Sequence, residues 1–463
     1  MMRLRRDRPG AIGAGMQTLA LAGLGAGIVL CLWGGAALRM PDDVGAMDRD
    51  RTALYVAWAA SAGLLYAAAV VAVAARPSGK RGATATVLLL AGAMRLVTVL
   101  PPPLHSTDAY RYVWDGRVQA AGINPYRYLP AAKELQGLRD GGVGAGAVYP
   151  NVNRADTAPT IYPPFAQAIF AAVAEVWPSL YGVKAAMLLF DLLAVVAALL
   201  LLRTARLLPE RVLIYAWNPL VLWEFAGGAH IDAAAVGLSA LAILAAVRAR
   251  PALAGGALGL AILCKLLPAA LFPALWRRWD GRTPLVCAAV IVAGYACYAG
   301  VGWRVLGYLP GYALEERLAD GGVVLLRLAA LLGPLPPWAG PGYLAAALTG
   351  LAALAVATVR RPLPSDPARR AAAVCSDALW LSAAMVAALS PHYPWYLAGL
   401  AWPSVLAPRV SVLWLTLAAP AMYLDPNHDQ VLWPALVFLP FAGLLAWELL
   451  RPARVPLPAL GGS

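Results

Sequence analysis

Windows of about 20 apolar residues recur along nearly the whole chain, and they decide what it can fold into. Backbone amides in hydrocarbon have no water to bond, so each window must satisfy them internally, as a helix. Residue usage agrees. Hydrophobic residues make up 61% of the 463 and charged ones 13%, against roughly 45–50% and about 25% in a soluble domain. The expected class is all-α and polytopic: one integral membrane domain over 1–463, with about 11–13 transmembrane helices.

The net charge of +13 suits nucleic acid only if the basic residues form one soluble patch. They fall in short clusters between apolar windows, as cytoplasmic loops do, so no nucleic-acid partner is expected. Cys31, Cys264, Cys287, Cys297 and Cys375 lie in or beside apolar windows without Cys-x-x-Cys or Cys/His spacing. Neither a disulfide nor a structural metal is expected from them. Arg3 to Arg8 place the N-terminus in the cytoplasm, and the first window reads as an uncleaved helix.

Spans are expected near 16–39, 53–75, 83–100, 183–203, 210–228, 231–248, 284–303, 341–360, 371–390, 394–407, 409–423 and 431–450. Residues 164–181 are apolar enough to cross, but a crossing puts Arg203, Arg206 and Arg211 outside. Pro163-Pro164 before the segment and Trp177-Pro178 at its end suit a helix lying in the outer interface instead. The 251–276 stretch reads as two short helices folding back, broken around Lys265 and Pro268. All four histidines then fall at the outer side. Residues 83–303 form the core, with an outer loop over 101–182. A second outer loop, 304–338, carries Glu315, Glu316, Arg317 and Arg327, and 339–463 supply C-terminal helices.

Residues 101–167 are long, polar and rich in aromatic and charged side chains, which a bundle has no structural need for. Within them DAYRYVWDGRVQAAG reads as a short helix starting at Ser106, Thr107 or Asp108 and closed by Gly122. Asp108 and Asp115 share a face, and Arg111 is within reach of either. Asp108 is the candidate base for a hydroxyl, with helix capping as its structural alternative. Asp115 and Arg117 are either a structural ion pair or substrate contacts. Tyr110, Tyr112, Trp114 and Tyr126 are either an interfacial belt or sugar-stacking faces, and Asn124 and Tyr162 mark the loop's turn and its return. Glu224, His230 and Asp232 lie between two spans, where charges usually face a cavity. His230-x-Asp232 supplies too few ligands to argue for a metal, though a divalent ion is not excluded. Asp191 reads as the partner of a neighbouring helix. Arg95 and Lys265 are cations in apolar surroundings, open to snorkelling, to ion pairing or to binding a lipid-linked phosphate. His392, in the turn Ser390–Tyr396, is a further candidate for the cavity wall.

Asp108, Tyr110, Tyr112 and Trp114-Asp115-Gly116-Arg117, followed by Gly122-x-Asn124-Pro125-Tyr126, resemble the first outer loop of bacterial GT-C membrane glycosyltransferases. Family eighty-seven and the related polyprenyl-phosphate-mannose-dependent mannosyltransferases are the nearest in pattern. Tyr162-Pro163-Pro164 resembles their interfacial-helix start, and Asn218-Pro219 with His230-x-Asp232 matches their second acidic loop. The resemblance covers roughly 83–280. It implies an inverting hexosyl or mannosyl transfer at the outer face of the bacterial inner membrane, from a polyprenyl-phosphate sugar to a lipid or glycan acceptor. No further cofactor is implied, and Asp108 is the base. Asp42 and Asp43 rank as rival bases, since two spans precede the one that enters the catalytic loop. The alternative class is a lipid flippase or transporter, but no inverted halves are visible and the polar residues gather at one side.

Overall fold

Three continuous helices open the chain: α1 (Ala11–Ala36), α2 (Arg49–Ala75) and α3 (Arg81–Val99), none interrupted by proline. α1 packs against both others. The computed structural model describes residues 11–40, 44–45, 47–75, 79, 81–140, 148–276, 280–307, 311, 322–427 and 430–450. Asp42, Asp43, the arginines before residue 10, and Glu315, Glu316 and Arg317 lie outside these residues.

Pro101-Pro102-Pro103 follow α3, where their rings cannot continue a helix. Lys184 then gathers the freed carbonyls, donating to Thr98 and Pro101. α4 (Asp108–Ala120) stands within the loop and closes at Gly122, whose φ of +74° suits glycine. It packs along α5 (Pro164–Val176). At their closest approach a Cβ on Gly116 would meet the Phe170 carbonyl oxygen at 2.3 Å, so this glycine is a packing requirement.

α5 starts with Pro164 at its first position, where a missing amide costs nothing. Its 13 residues fall short of the roughly 20 needed to cross. That is the length expected of a segment that does not span. After Trp177 the chain turns into α6 (Leu180–Thr204), capped by Ser179.

The expected span 210–228 is a series of short turns. Asn218 Oδ1 accepts from the amides of Leu220 and Val221, and Pro219 starts the next turn. Leu222–Gly227 widens into a π-helix, Ala229 takes φ +58°, and the chain bends by 118° into α7 (Asp232–Val247). Such irregular backbone concentrates at functional sites. Glu224, His230 and Asp232 all lie in this break. α8 (Pro251–Ile262) is followed by short turns at Leu267–Leu271 and Phe272–Leu275, so the break falls at Lys265 as expected. α9 (Arg282–Ala296) bends by 113° into Ala299–Leu306. α10 (Ala339–Arg360), α11 (Pro367–Leu389), α12 (Val410–Ala418) and α13 (Leu432–Leu450) complete the bundle.

Among the described residues there is no strand, and seven helices are long and apolar enough to cross, or nine if each bent pair is one span. The protein is an all-α polytopic membrane protein. This number is below the one read from hydropathy because 210–228 and 231–248 form one bent pair, and because Pro394, Pro403 and Pro420 interrupt 394–407 and 409–423.

Arg95 is buried inside the bundle. Its Nε lies 2.7 Å and its Nη2 3.2 Å from the Asp191 carboxylate, while Nη1 donates to the carbonyls of Ala91 and Ala216. Tyr215 donates to the same carboxylate at 2.7 Å. Asp191 is the interhelical partner expected of it. Arg95, expected also as a phosphate ligand, has its guanidinium spent on this network instead, because a buried cation requires a full set of acceptors.

Candidate active site

At one end of the bundle the loop after α3, the break before α7, the break after α8 and the 390–396 turn converge. Asp108 heads α4 but does not cap it. The first turn has no side-chain cap, and Ser106 Oγ accepts from the Asp108 amide at 3.1 Å. The Asp108 carboxylate is half-buried and points across the loop, where Oδ1 accepts from Asn153 Nδ2 at 2.6 Å. It lines a cavity of about 140 Å³ together with Tyr126, Tyr162, Lys265, Trp395 and Tyr396.

Arg111 does not face Asp108. Its Nε lies 2.8 Å from Asp115 Oδ1, and its other nitrogens donate to the carbonyls of Asn153, Ala158 and Pro159. Asp115 also accepts from Thr160 at 2.7 Å and from Gln167 at 3.0 Å. The pair is the buried bolt of the loop, holding α4, α5 and residues 153–160 together. This corrects one expectation, since Asp115 pairs with Arg111 and not with Arg117; of the two carboxylates within its reach Arg111 takes Asp115. The cause is burial, since a guanidinium with 1% exposure needs the surrounding carbonyls that only the 153–159 side offers. Arg117 makes no ion pair among the described residues.

The aromatic residues divide in the same way. Trp114 is buried against Tyr149, and Tyr112 stacks on Phe170 at 4.5 Å while its hydroxyl accepts from the Ile231 amide. Tyr110 is buried too. All three are packing inside the loop and not a belt around it. Asn124 accepts from the Tyr126 amide and donates to the Tyr298 carbonyl, so it makes the turn. Tyr126 donates to the Tyr162 carbonyl, and both rings line the cavity. Burial pushes both hydroxyls well above the usual tyrosine range, so they remain protonated.

Lys265 lines the same cavity as Asp108. Its Nζ lies 2.8 and 2.6 Å from the two Asp232 oxygens and 3.8 Å from the centroid of the Tyr396 ring. Lys265, Asp232, Trp395 and Tyr396 also line a second, largely apolar groove of about 90 Å³ that continues along Val236, Ile243 and Leu400. Lys265 thus stands where the two cavities adjoin, both of them largely apolar in their walls.

Behind this chamber Glu224 and His230 form a buried pair, His230 Nδ1 lying 3.2 Å from Glu224 Oε2, and Tyr423 donates to both Glu224 oxygens. The His230 and Asp232 side chains have separate partners, Glu224 and Lys265. The His230 ring stacks on Trp395 at 4.1 Å, and Trp395 stacks on Tyr393 at 4.5 Å. On the far side of that stack opens a cavity of about 390 Å³, lined by His105, His392, Tyr393, Tyr423 and Gln430 among others.

The structure thus brings together Asp108, Tyr126, Tyr162, Glu224, His230, Asp232, Lys265 and His392. It takes Arg95, Tyr110, Arg111, Tyr112, Trp114, Asp115 and Asn124 into packing and turns. Sequence reasoning missed Asn153, Tyr423 and His105, and left the 390–396 turn undecided. Asn153 was open to discovery as an amide in the polar loop. Tyr423 had no local signal.

No curated protein and no solved structure matches the chain. Residues 9–280, more than half of the 463, match the family described as alpha-(1->6)-mannopyranosyltransferase, N-terminal domain. That match carries the mannosyltransferase side of the resemblance and does not extend to family eighty-seven. Asp108, Asp232 and Lys265 lie inside the matched region, whereas Trp395, Tyr396 and Tyr423 come from the chain beyond it. With more than half of its length matched, this chain belongs to the alpha-(1->6)-mannopyranosyltransferase family.

Proposed function

We propose that the protein moves mannose, with inversion, from a polyprenyl-phosphate donor to a hydroxyl of a lipid or glycan acceptor, at the outer face of the bacterial inner membrane. The observation that carries this reading is that Asp108 and Lys265 line one chamber and Lys265 also lines the adjoining apolar groove. A prenyl chain suits the groove, which leaves its phosphate at the ammonium and its sugar toward Asp108. Family membership favours chemistry over lipid transport alone.

In the reaction Asp108 takes the proton of the acceptor hydroxyl. The hydroxyl oxygen forms a bond to the anomeric carbon while the bond from that carbon to the phosphate oxygen breaks. The electron pair leaves with the phosphate, and Lys265 meets the charge that develops there. Asn153 positions the Asp108 carboxylate through its 2.6 Å hydrogen bond. A single displacement inverts the centre, so an α-(1→6) product requires a β-linked donor. The family's name points to the acceptor's 6-hydroxyl as the nucleophile.

Full-length protein in lipid nanodiscs, given mannosyl-phosphoryl-polyprenol and an α-mannoside, should yield an α-(1→6) linkage, read by mass spectrometry and linkage analysis. Transfer from GDP-mannose in the absence of the lipid donor would overturn the reading.

A further inference from the structure

We propose that the cavity of about 390 Å³ beyond Trp395 is the acceptor site, taking the terminal sugars of a mannose-containing chain. This rests on the reading of the protein as a lipid-donor mannosyltransferase, and assigns the acceptor a place apart from the Lys265 groove. The volume lies within the range of about 300–1,000 Å³ typical of small-molecule sites.

The wall suits a polyol, with Arg49 as a further hydrogen-bond donor at its edge. His105, His392, Tyr393, Tyr423, Thr52 and Gln430 offer rings and hydrogen-bonding groups. No carboxylate lines the cavity among the described residues. Its apolar share comes partly from aromatic faces that can lie against a sugar ring. His105 is stacked on Tyr423 at 4.3 Å and lies 4.6 Å from Tyr55, and Tyr393 ends the His230–Trp395–Tyr393 stack.

The cavity is also joined to the chemistry. Trp395 lines both it and the Asp108 chamber. His105 lies three residues before Asp108, and Ser106 between them binds the Asp108 amide. Tyr423 is anchored by Glu224, whose partner His230 stacks on Trp395. A sugar held in this cavity therefore lies across Trp395 from the Asp108 chamber. This geometry gives the buried Glu224–His230 pair a purpose: it fixes both Tyr423 and the Trp395 partition between donor and acceptor.

The test is a two-substrate kinetic analysis of Tyr393→Ala and Gln430→Ala, with His105→Ala as a third variant, using α-(1→6)-mannobiose as acceptor. At least one of the first two should raise acceptor KM by about 10-fold with donor KM unchanged. The unchanged donor KM also reports that the protein is folded. Acceptor KM at the parent value in all three overturns the assignment, and so does a rise confined to donor KM. Calorimetry with mannobiose alone separates this failure from that of the functional reading. Heat of binding in the parent that is lost in the variants supports the site even if no lipid donor is used. Parent binding retained in all three variants overturns it.

Discussion

Asn153 Nδ2 donates to Asp108 Oδ1 at 2.6 Å, joining two loop residues 45 apart in sequence and leaving the carboxylate free of the helix it heads. Loss of a positioned base costs about 100- to 10,000-fold in rate, whereas loss of a cap costs only ~1 kcal/mol of stability. Asp108→Asn should therefore fold, bind donor and transfer almost nothing. Asn153→Ala should reduce transfer by a smaller factor without changing donor KM. Transfer by Asp108→Asn near the parent rate would remove Asp108 from the chemistry.

Lys265→Gln should weaken donor binding by roughly 10- to 100-fold, the worth of a charge-assisted hydrogen bond. It also strips Asp232 of its partner, so a thermal-stability loss is expected alongside. Lys265→Arg retains the charge and should recover much of both. Donor KM unchanged in stable Lys265→Gln protein would leave the lysine as a tie to Asp232 and Tyr396.

Arg95→Gln has a different signature. It leaves Asp191 buried with only Tyr215 against it, and breaking a buried pair costs about 3–5 kcal/mol. Thermal unfolding should fall well below the parent, while surviving protein keeps its donor KM. The double variant Arg95→Met, Asp191→Leu should recover stability relative to Arg95→Gln. A stable single variant with raised donor KM would return Arg95 to the phosphate.

Topology has its own experiment. Because α5 is too short to cross, Leu207 and Gly281 should lie on the cytoplasmic side. Cys297 is the exposed native cysteine among the described residues, so it is first changed to Ser. Leu207→Cys and Gly281→Cys should then both be shielded from a membrane-impermeant reagent in intact cells. Labelling at residue 207 would mean that 164–181 crosses.

The sequence by itself determined the all-α membrane class, the short helix over Asp108–Ala120 with its glycine stop, and the break around Lys265. Each follows from a local rule: apolar length, glycine freedom, proline geometry. It could not choose a partner for Arg111, because Asp108 at three residues and Asp115 at four are equally in reach on a helix. Tertiary structure chose Asp115, since burial demanded the carbonyls of 153–159 as well. Arg95 was decided in the same way, by Asp191 on a helix far along the chain. The Lys265–Asp232 pair and the His230–Trp395 stack join segments that no periodicity links. Local spacing sets which residues share a face. Only the packing of distant segments sets which charge stands opposite which, because the free energy of a buried charge lies in its whole surroundings and not in its neighbours along the chain.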